Sequence, residues 1–244
     1  MPSEPPTSAD GPRRPDPPRP SPGDNLRVVA AEVSSCVRCP RLVAWREEVA
    51  VTKRAAFVGE TYWSRGVPAF GDPAADLLVV GLAPAAHGAN RTGRMFTGDR
   101  SGEWLFRALH RAGFASRPRS EHRDDGLVLH RTLVTSPVKC APPANRPTVE
   151  ERRRCQPFLE REVALTDPVV VVALGAFGFA SCCDVLGLRP RPRFGHGVEV
   201  VDGSGRTLLA SYHVSQHNTF TGRLTEGMLD DVFVRARELL ESGR

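Results

Sequence analysis

Asp76-Leu77-Leu78-Val79-Val80-Gly81 is a short apolar run held between an aspartate and a glycine. Four aliphatic residues in a row, with no alternation, read as a strand buried on both faces, as in a parallel sheet. Leu127 to Val134, Val169 to Leu174 and Leu208 to Tyr212 read as three further strands. Helical spacing fills the intervals. Gly102 to Ala112 carries Trp104, Leu105, Ala108 and Leu109, and Thr148 to Leu165 opens on a capping box of Thr148 and Glu151. Ala176 to Leu186 and Glu226 to Leu240 are helices too, and Val28 to Ala50 is a helical region before the first strand. Strands alternating with helices make βαβ units, hence an α/β fold with both sheet faces covered. Ligands of such sheets bind at the carboxyl ends of the strands. The chemistry is therefore expected after Gly81, Val134, Leu174 and Tyr212.

A chain of 244 residues suits one domain of substantial size. Hydrophobic content of 40% and charged content of 25% are ordinary for a globular protein. No apolar run reaches the length of about 18 residues that a membrane helix needs. The N-terminus lacks a signal-type apolar core, so the cytoplasm, around the nucleoid, is the expected location. The net charge of +5 suits a polyanion such as DNA, although many basic proteins bind none. Residues 1–22 hold nine prolines. Residues 1–25 are read as a disordered tail and 26–244 as the domain.

The residues after the first strand, Gly81 to Asp99, include four glycines and the arginines Arg91 and Arg94. Glycines let the backbone approach a ligand closely, and arginines suit phosphate. The stretch lacks the Gly-Lys-Ser/Thr ending of a P-loop and has no GxGxxG spacing. Unless it is only an ordered surface loop, its length points to function. Tyr212 to Thr225 follows the fourth strand and is dense in hydrogen-bonding groups, with His213 at the strand end. Alone, His213 reads more readily as a satisfied structural histidine than as a catalytic one.

Cys36-Val37-Arg38-Cys39 is a Cys-x-x-Cys pair, and Cys140 and Cys155 follow much later. Four thiolates can hold zinc or an iron–sulfur cluster, and the spacing does not choose between them. Cys182 and Cys183 are adjacent in an apolar helix and read as core.

Together these segments resemble the type-B (family 5) uracil-DNA glycosylases. Gly81-Leu82-Ala83-Pro84-Ala85 with Asn90-Arg91-Thr92-Gly93-Arg94-Met95-Phe96-Thr97-Gly98-Asp99 is similar to that family's first motif. His213-Val214-Ser215-Gln216-His217-Asn218-Thr219-Phe220-Thr221-Gly222-Arg223-Leu224-Thr225 is similar to its second. Cys36, Cys39, Pro40, Arg41 and Leu42, then Val138 to Pro143, and then Cys155, Pro157 and Leu159, resemble cluster ligands shared with the type-A (family 4) enzymes.

The resemblance implies a three-layer α/β/α sandwich with a central four-stranded parallel sheet. It implies a [4Fe–4S] cluster on Cys36, Cys39, Cys140 and Cys155, and a monomer acting on DNA that contains uracil, hypoxanthine or other deaminated bases. The damaged nucleotide is expected to flip out of the duplex. Phe96 would stack on the base and His213 would donate to the base oxygen as charge develops there. Asn90 is the first candidate for positioning water or steadying the sugar cation, with Asp99 second unless it caps the next helix. Ala83 stands where many relatives place a carboxylate or amide, and Ser136 where they often place a base-reading asparagine. Ser215, Gln216, His217 and Asn218 would meet the minor groove, without the prolines and apolar wedge common there. Arg91, Arg94, Arg146 and Arg223 are phosphate candidates. Hydrolysis of the glycosidic bond needs no electron, so the cluster would be structural. The competing reading is a zinc-bearing, non-catalytic nucleic-acid-binding protein, which accounts for cysteines and charge but leaves both loops without purpose.

Overall fold

The computed structural model describes residues 23–242. The proline-rich segment 1–22 lies outside the described residues. The last part of the expected tail belongs to the fold: Asp24 pairs with Arg161 at 2.7 Å, and the Asn25 side chain caps the first helix.

Six strands form one sheet in the order β1-β3-β2-β4-β6-β5. The parallel centre is β3 (Thr132–Thr135), β2 (Leu77–Val80), β4 (Val170–Leu174) and β6 (Thr207–Ser211). All residues of these four strands are buried. The expected four-stranded parallel core is present. Two short antiparallel edge strands, β1 (Phe70–Gly71) and β5 (Glu199–Val201), extend it. Neither edge is long or apolar enough to stand out in the sequence.

The side-chain alternation of a strand splits the core into two faces. Leu77 and Val79 look toward α4 (Arg100–Arg111) and α8 (Glu226–Ser242), whose Leu105, Leu109, Leu229 and Phe233 are buried against them. Leu78 and Val80 look toward α5 (Val149–Thr166) and α6 (Gly175–Val185), where Leu159, Phe179, Cys182 and Cys183 pack. Three layers result, with Cys182 and Cys183 in the core. The capping box at Thr148 and Glu151 is formed.

Two expectations need correction. The segment Val28 to Ala50 is two helices, α1 (Leu26–Ser35) and α2 (Pro40–Thr52), because Cys36 and Cys39 are extended and Pro40 starts α2. The strand expected from Leu127 begins only at Thr132. Arg131 before it has a left-handed φ of 49°, which breaks the run, while Leu127 and Leu129 are buried in a loop.

Candidate active site

The parallel strands end at Gly81, Ser136, Gly175 and Tyr212, and the functional loops start there. Three glycines make close approaches that any side chain would prevent. A Cβ on Gly81 would lie 2.5 Å from the Phe96 ring, so that ring rests directly on the end of β2. A Cβ on Gly175, at φ 87°, would lie 2.9 Å from the His213 Cβ. A Cβ on Gly178 would meet the Gly81 carbonyl oxygen at 2.7 Å, so α6 packs tightly on this strand end. Phe96 itself holds a left-handed φ of 52°, a local strain of the kind found at functional sites.

His213 and Phe96 face each other with ring centroids 6.5 Å apart and planes tilted by 33°. Burial lowers the His213 pKa to about 4, so its ring is neutral at physiological pH. Among the described residues nothing hydrogen-bonds to that ring. Its backbone is fixed by Asn218, whose Nδ2 donates to the His213 carbonyl at 2.8 Å. Ser215 caps the short helix α7 (Gln216–Phe220) by accepting from the Asn218 amide. Ser215 and Asn218 thus brace the second loop, while Gln216 and His217 are exposed. Phe220, beside them, is 65% exposed with the Arg100 guanidinium 4.3 Å above its ring.

Asn90 lies in α3 (Ala89–Thr92) and is fully buried. Its Nδ2 donates to the carbonyls of Arg46 (3.2 Å) and Ala86 (3.4 Å). Its Oδ1 has no partner among the described residues. Both donor hydrogens are thereby committed and one acceptor is left free. Its carbonyl accepts from the Ser64 amide, which ties α3 to the preceding segment at residues 62–64. From the same segment Tyr62 hydrogen-bonds His87 at 2.9 Å.

Several assigned roles are corrected by the geometry. Asp99 is the helix cap: Oδ1 accepts from the Gly102 amide at 2.9 Å, and Oδ2 abuts Gly88, where a Cβ would sit 2.1 Å away. Burial raises its pKa. Arg94 is no phosphate ligand. It is 4% exposed, bonded to Asp125, Ser120 and Thr97, and stacked on Phe70. Arg91 is also a brace, donating to the carbonyls of His87 and Gly98, pairing with Glu60 and lying 4.0 Å over the Phe57 ring. A Gly-rich loop of this length needs such cross-ties, and both arginines supply them. Ser136 is buried and donates its hydroxyl to the Val138 carbonyl at 2.8 Å, leaving only lone pairs for a ligand. Ala83 packs with Leu42, Val138 and Cys140. Arg146 is exposed, and Arg223 lies 4.7 Å over the Tyr212 ring, so both remain open to an anion.

Cys36, Cys39, Cys140 and Cys155 line one small cavity beside this site. They come from the end of α1, the cap of α2, the loop after β3, and α5. The Arg46 Nη1 donates to the Cys140 Sγ at 3.0 Å and the Lys139 amide to the Cys155 Sγ at 3.3 Å. Burial raises the Cys140 thiol and pushes Cys155 up to about 12. No group of three or more His, Cys, Asp or Glu among the described residues converges on a single ion position. The four sulfurs share one space and two of them accept N–H donors, a donor set of the kind that a zinc ion or an iron–sulfur cluster takes.

The His213 pKa has a direct consequence for rate. Lowering it from the ordinary 6.5 to about 4 means that the neutral ring persists as pH falls through 6 and 5. Any rate that depends on neutral His213 is therefore flat from pH 8 to 5 and declines only toward 4. The same depressed value favours the folded state above pH 6.5, an advantage lost as pH falls from there toward 4. A single-turnover profile of the full chain checks this. An inflection near 6.5 that disappears in His213→Ala would contradict it.

The geometry agrees with the comparisons to known proteins. The family model described as "Uracil DNA glycosylase superfamily" matches residues 68–238. The chain is 54% identical over 213 residues to a type-5 uracil-DNA glycosylase of Mycobacterium bovis, covering 86% of this chain and 80% of that protein. It is 52% identical over 209 residues to a type-5 uracil-DNA glycosylase of Thermus thermophilus, covering 85% and 94%. A type-4 uracil-DNA glycosylase of Thermotoga maritima is 30% identical over 152 residues, 62% of each chain. With the matched segment containing both loops and the parallel sheet between them, the chain belongs to the uracil-DNA glycosylase superfamily.

Proposed function

We propose that the protein is a monofunctional uracil-DNA glycosylase of the type-5 group that hydrolyses the N-glycosidic bond of uracil, and of hypoxanthine and other deaminated bases, in base excision repair. The observation that carries this reading is the His213 ring, without a hydrogen-bond partner among the described residues, opposed to Phe96 at the carboxyl ends of the parallel strands.

The flipped base stacks on Phe96, whose π-face accepts more than one base. Bond cleavage sends the electron pair to the base, and negative charge grows on its oxygen. His213 donates a hydrogen bond to that oxygen, and being neutral it adds no competing charge to the sugar cation. The Asn90 Oδ1, buried and without a partner among the described residues, accepts a hydrogen from the attacking water once the flipped nucleotide opens the site around it. Outside this pocket the exposed Gln216, His217 and Phe220 of α7 face the gap left in the duplex. Arg100, Arg146 and Arg223 lie open to the phosphates.

Cys36, Cys39, Cys140 and Cys155 would hold a [4Fe–4S] cluster, which would cross-link α1, α2, the loop after β3, and α5. No helix among the described residues is long and apolar enough to cross a membrane. The protein acts as a monomer on DNA in the cytoplasm, at the nucleoid.

A duplex carrying one uracil, incubated with the protein in EDTA and then treated with alkali, is expected to show one cut at the uracil on a denaturing gel. DNA binding without a cut would favour the non-catalytic, zinc-bearing reading instead.

A further inference from the structure

Arg46, on α2, is 3% exposed, and its Nε has no hydrogen-bond partner among the described residues. A buried guanidinium without a carboxylate beside it favours an anion nearby. Two bonds show where it belongs. Its Nη1 donates to the Cys140 Sγ at 3.0 Å. Its own carbonyl accepts from the Asn90 Nδ2 at 3.2 Å. A single residue thus touches the cysteine cavity with its side chain and the Asn90 amide with its backbone.

The second contact matters because of the way an amide is oriented. The Asn90 carboxamide can turn by half a rotation, exchanging Oδ1 for Nδ2. Only carbonyl acceptors near the nitrogen end choose between the two settings, and Arg46 provides the nearer one. A shift of α2 by a fraction of an ångström would weaken that choice. α2 has no side-chain cap at its start, where Cys39 stands, so its position relies on what holds its flank.

We propose that Arg46 is a positioning residue, a strut whose ionic contact with the cysteine-bound group sets α2 and so aims the Oδ1 of Asn90 at the attacking water. This rests on the glycosylase reading and on the cluster. The chemistry that recognises Arg46 is an anionic, thiolate-ligated group at Cys140.

The test uses the full chain as isolated, with Arg46→Met and Arg46→Lys, each also combined with Asn90→Ala. Iron and sulfide content of the wild type first reports on the cluster reading by itself. Three readouts then bear on the strut: the midpoint potential, the single-turnover rate, and the Kd for uracil-containing duplex. Arg46→Met is expected to lower the potential, because a positive charge beside the cluster is lost. It is also expected to reduce the single-turnover rate by roughly 10- to 100-fold, the scale of a small misplacement, with Kd unchanged. In the Asn90→Ala background it should cost nothing further, and Arg46→Lys should recover part of both rate and potential. If Arg46→Met assembles no cluster, Arg46→Lys carries the test. Equal rate losses with and without Asn90, or an unchanged rate and potential, would overturn the proposal. A wild type without iron and sulfide would overturn the cluster reading and with it the ionic contact that the strut requires, whatever its rate of excision.

Discussion

His213→Ala is expected to reduce the single-turnover rate of uracil excision by about 10²–10³-fold, the usual effect of deleting one preorganised donor to a developing oxyanion. The fold should survive. The imidazole makes no hydrogen bond among the described residues, and the bond that fixes this stretch, from Asn218, goes to the His213 carbonyl. The variant keeps that carbonyl. Melting temperature and duplex affinity should therefore stay near wild type while product formation collapses. A variant of near-full activity would remove His213 from the mechanism.

The second large effect is on stability. Lys139 and Glu162 form an ion pair in which each side chain is 1% exposed, with Nζ 2.7 and 2.8 Å from the two carboxylate oxygens. The Thr135 hydroxyl donates to the same carboxylate at 2.8 Å. The pair ties the loop bearing Cys140 to α5, which bears Cys155, beneath the end of β3. Lys139→Met leaves a buried carboxylate without its cation, at a cost of about 3–5 kcal/mol. For a domain of this size that lowers Tm by roughly 6–20 °C. Combining Lys139→Met with Glu162→Leu removes both charges and should be less destabilising than the single change. Thermal unfolding of the full chain as isolated decides it. A loss for the single change below about 1 kcal/mol, or a double variant weaker than the single, would show that the pair does not act as a unit.

The parallel core was legible because its strands are buried on both faces, so Leu77–Val80, Val170–Leu174 and Leu208–Ala210 are continuous apolar runs. The edges were not, since two or three half-exposed residues leave no pattern. Positions set by their own stretch of chain were legible: His213 at a strand end, Phe96 in the glycine-rich loop, and the capping alternative for Asp99. It was illegible wherever the partner is remote. Arg91 and Arg94 look alike as solvent-facing cations until Glu60 and Asp125 are placed beside them. Arg46 carries no local signal, because Asn90 and Cys140 lie 44 and 94 residues away from it in sequence. Gly175 could have been suspected, as it stands at a strand-to-helix junction.

The two edge strands also bear on how the chain behaves before it is fully folded. A parallel sheet assembles from pairings distant in sequence, and it exposes unsatisfied borders while doing so. Here the borders are closed by pieces of only two and three residues, running against the direction of their neighbours. Such stubs offer a second molecule very little backbone to pair with, so the finished sheet does not template its own growth into aggregates.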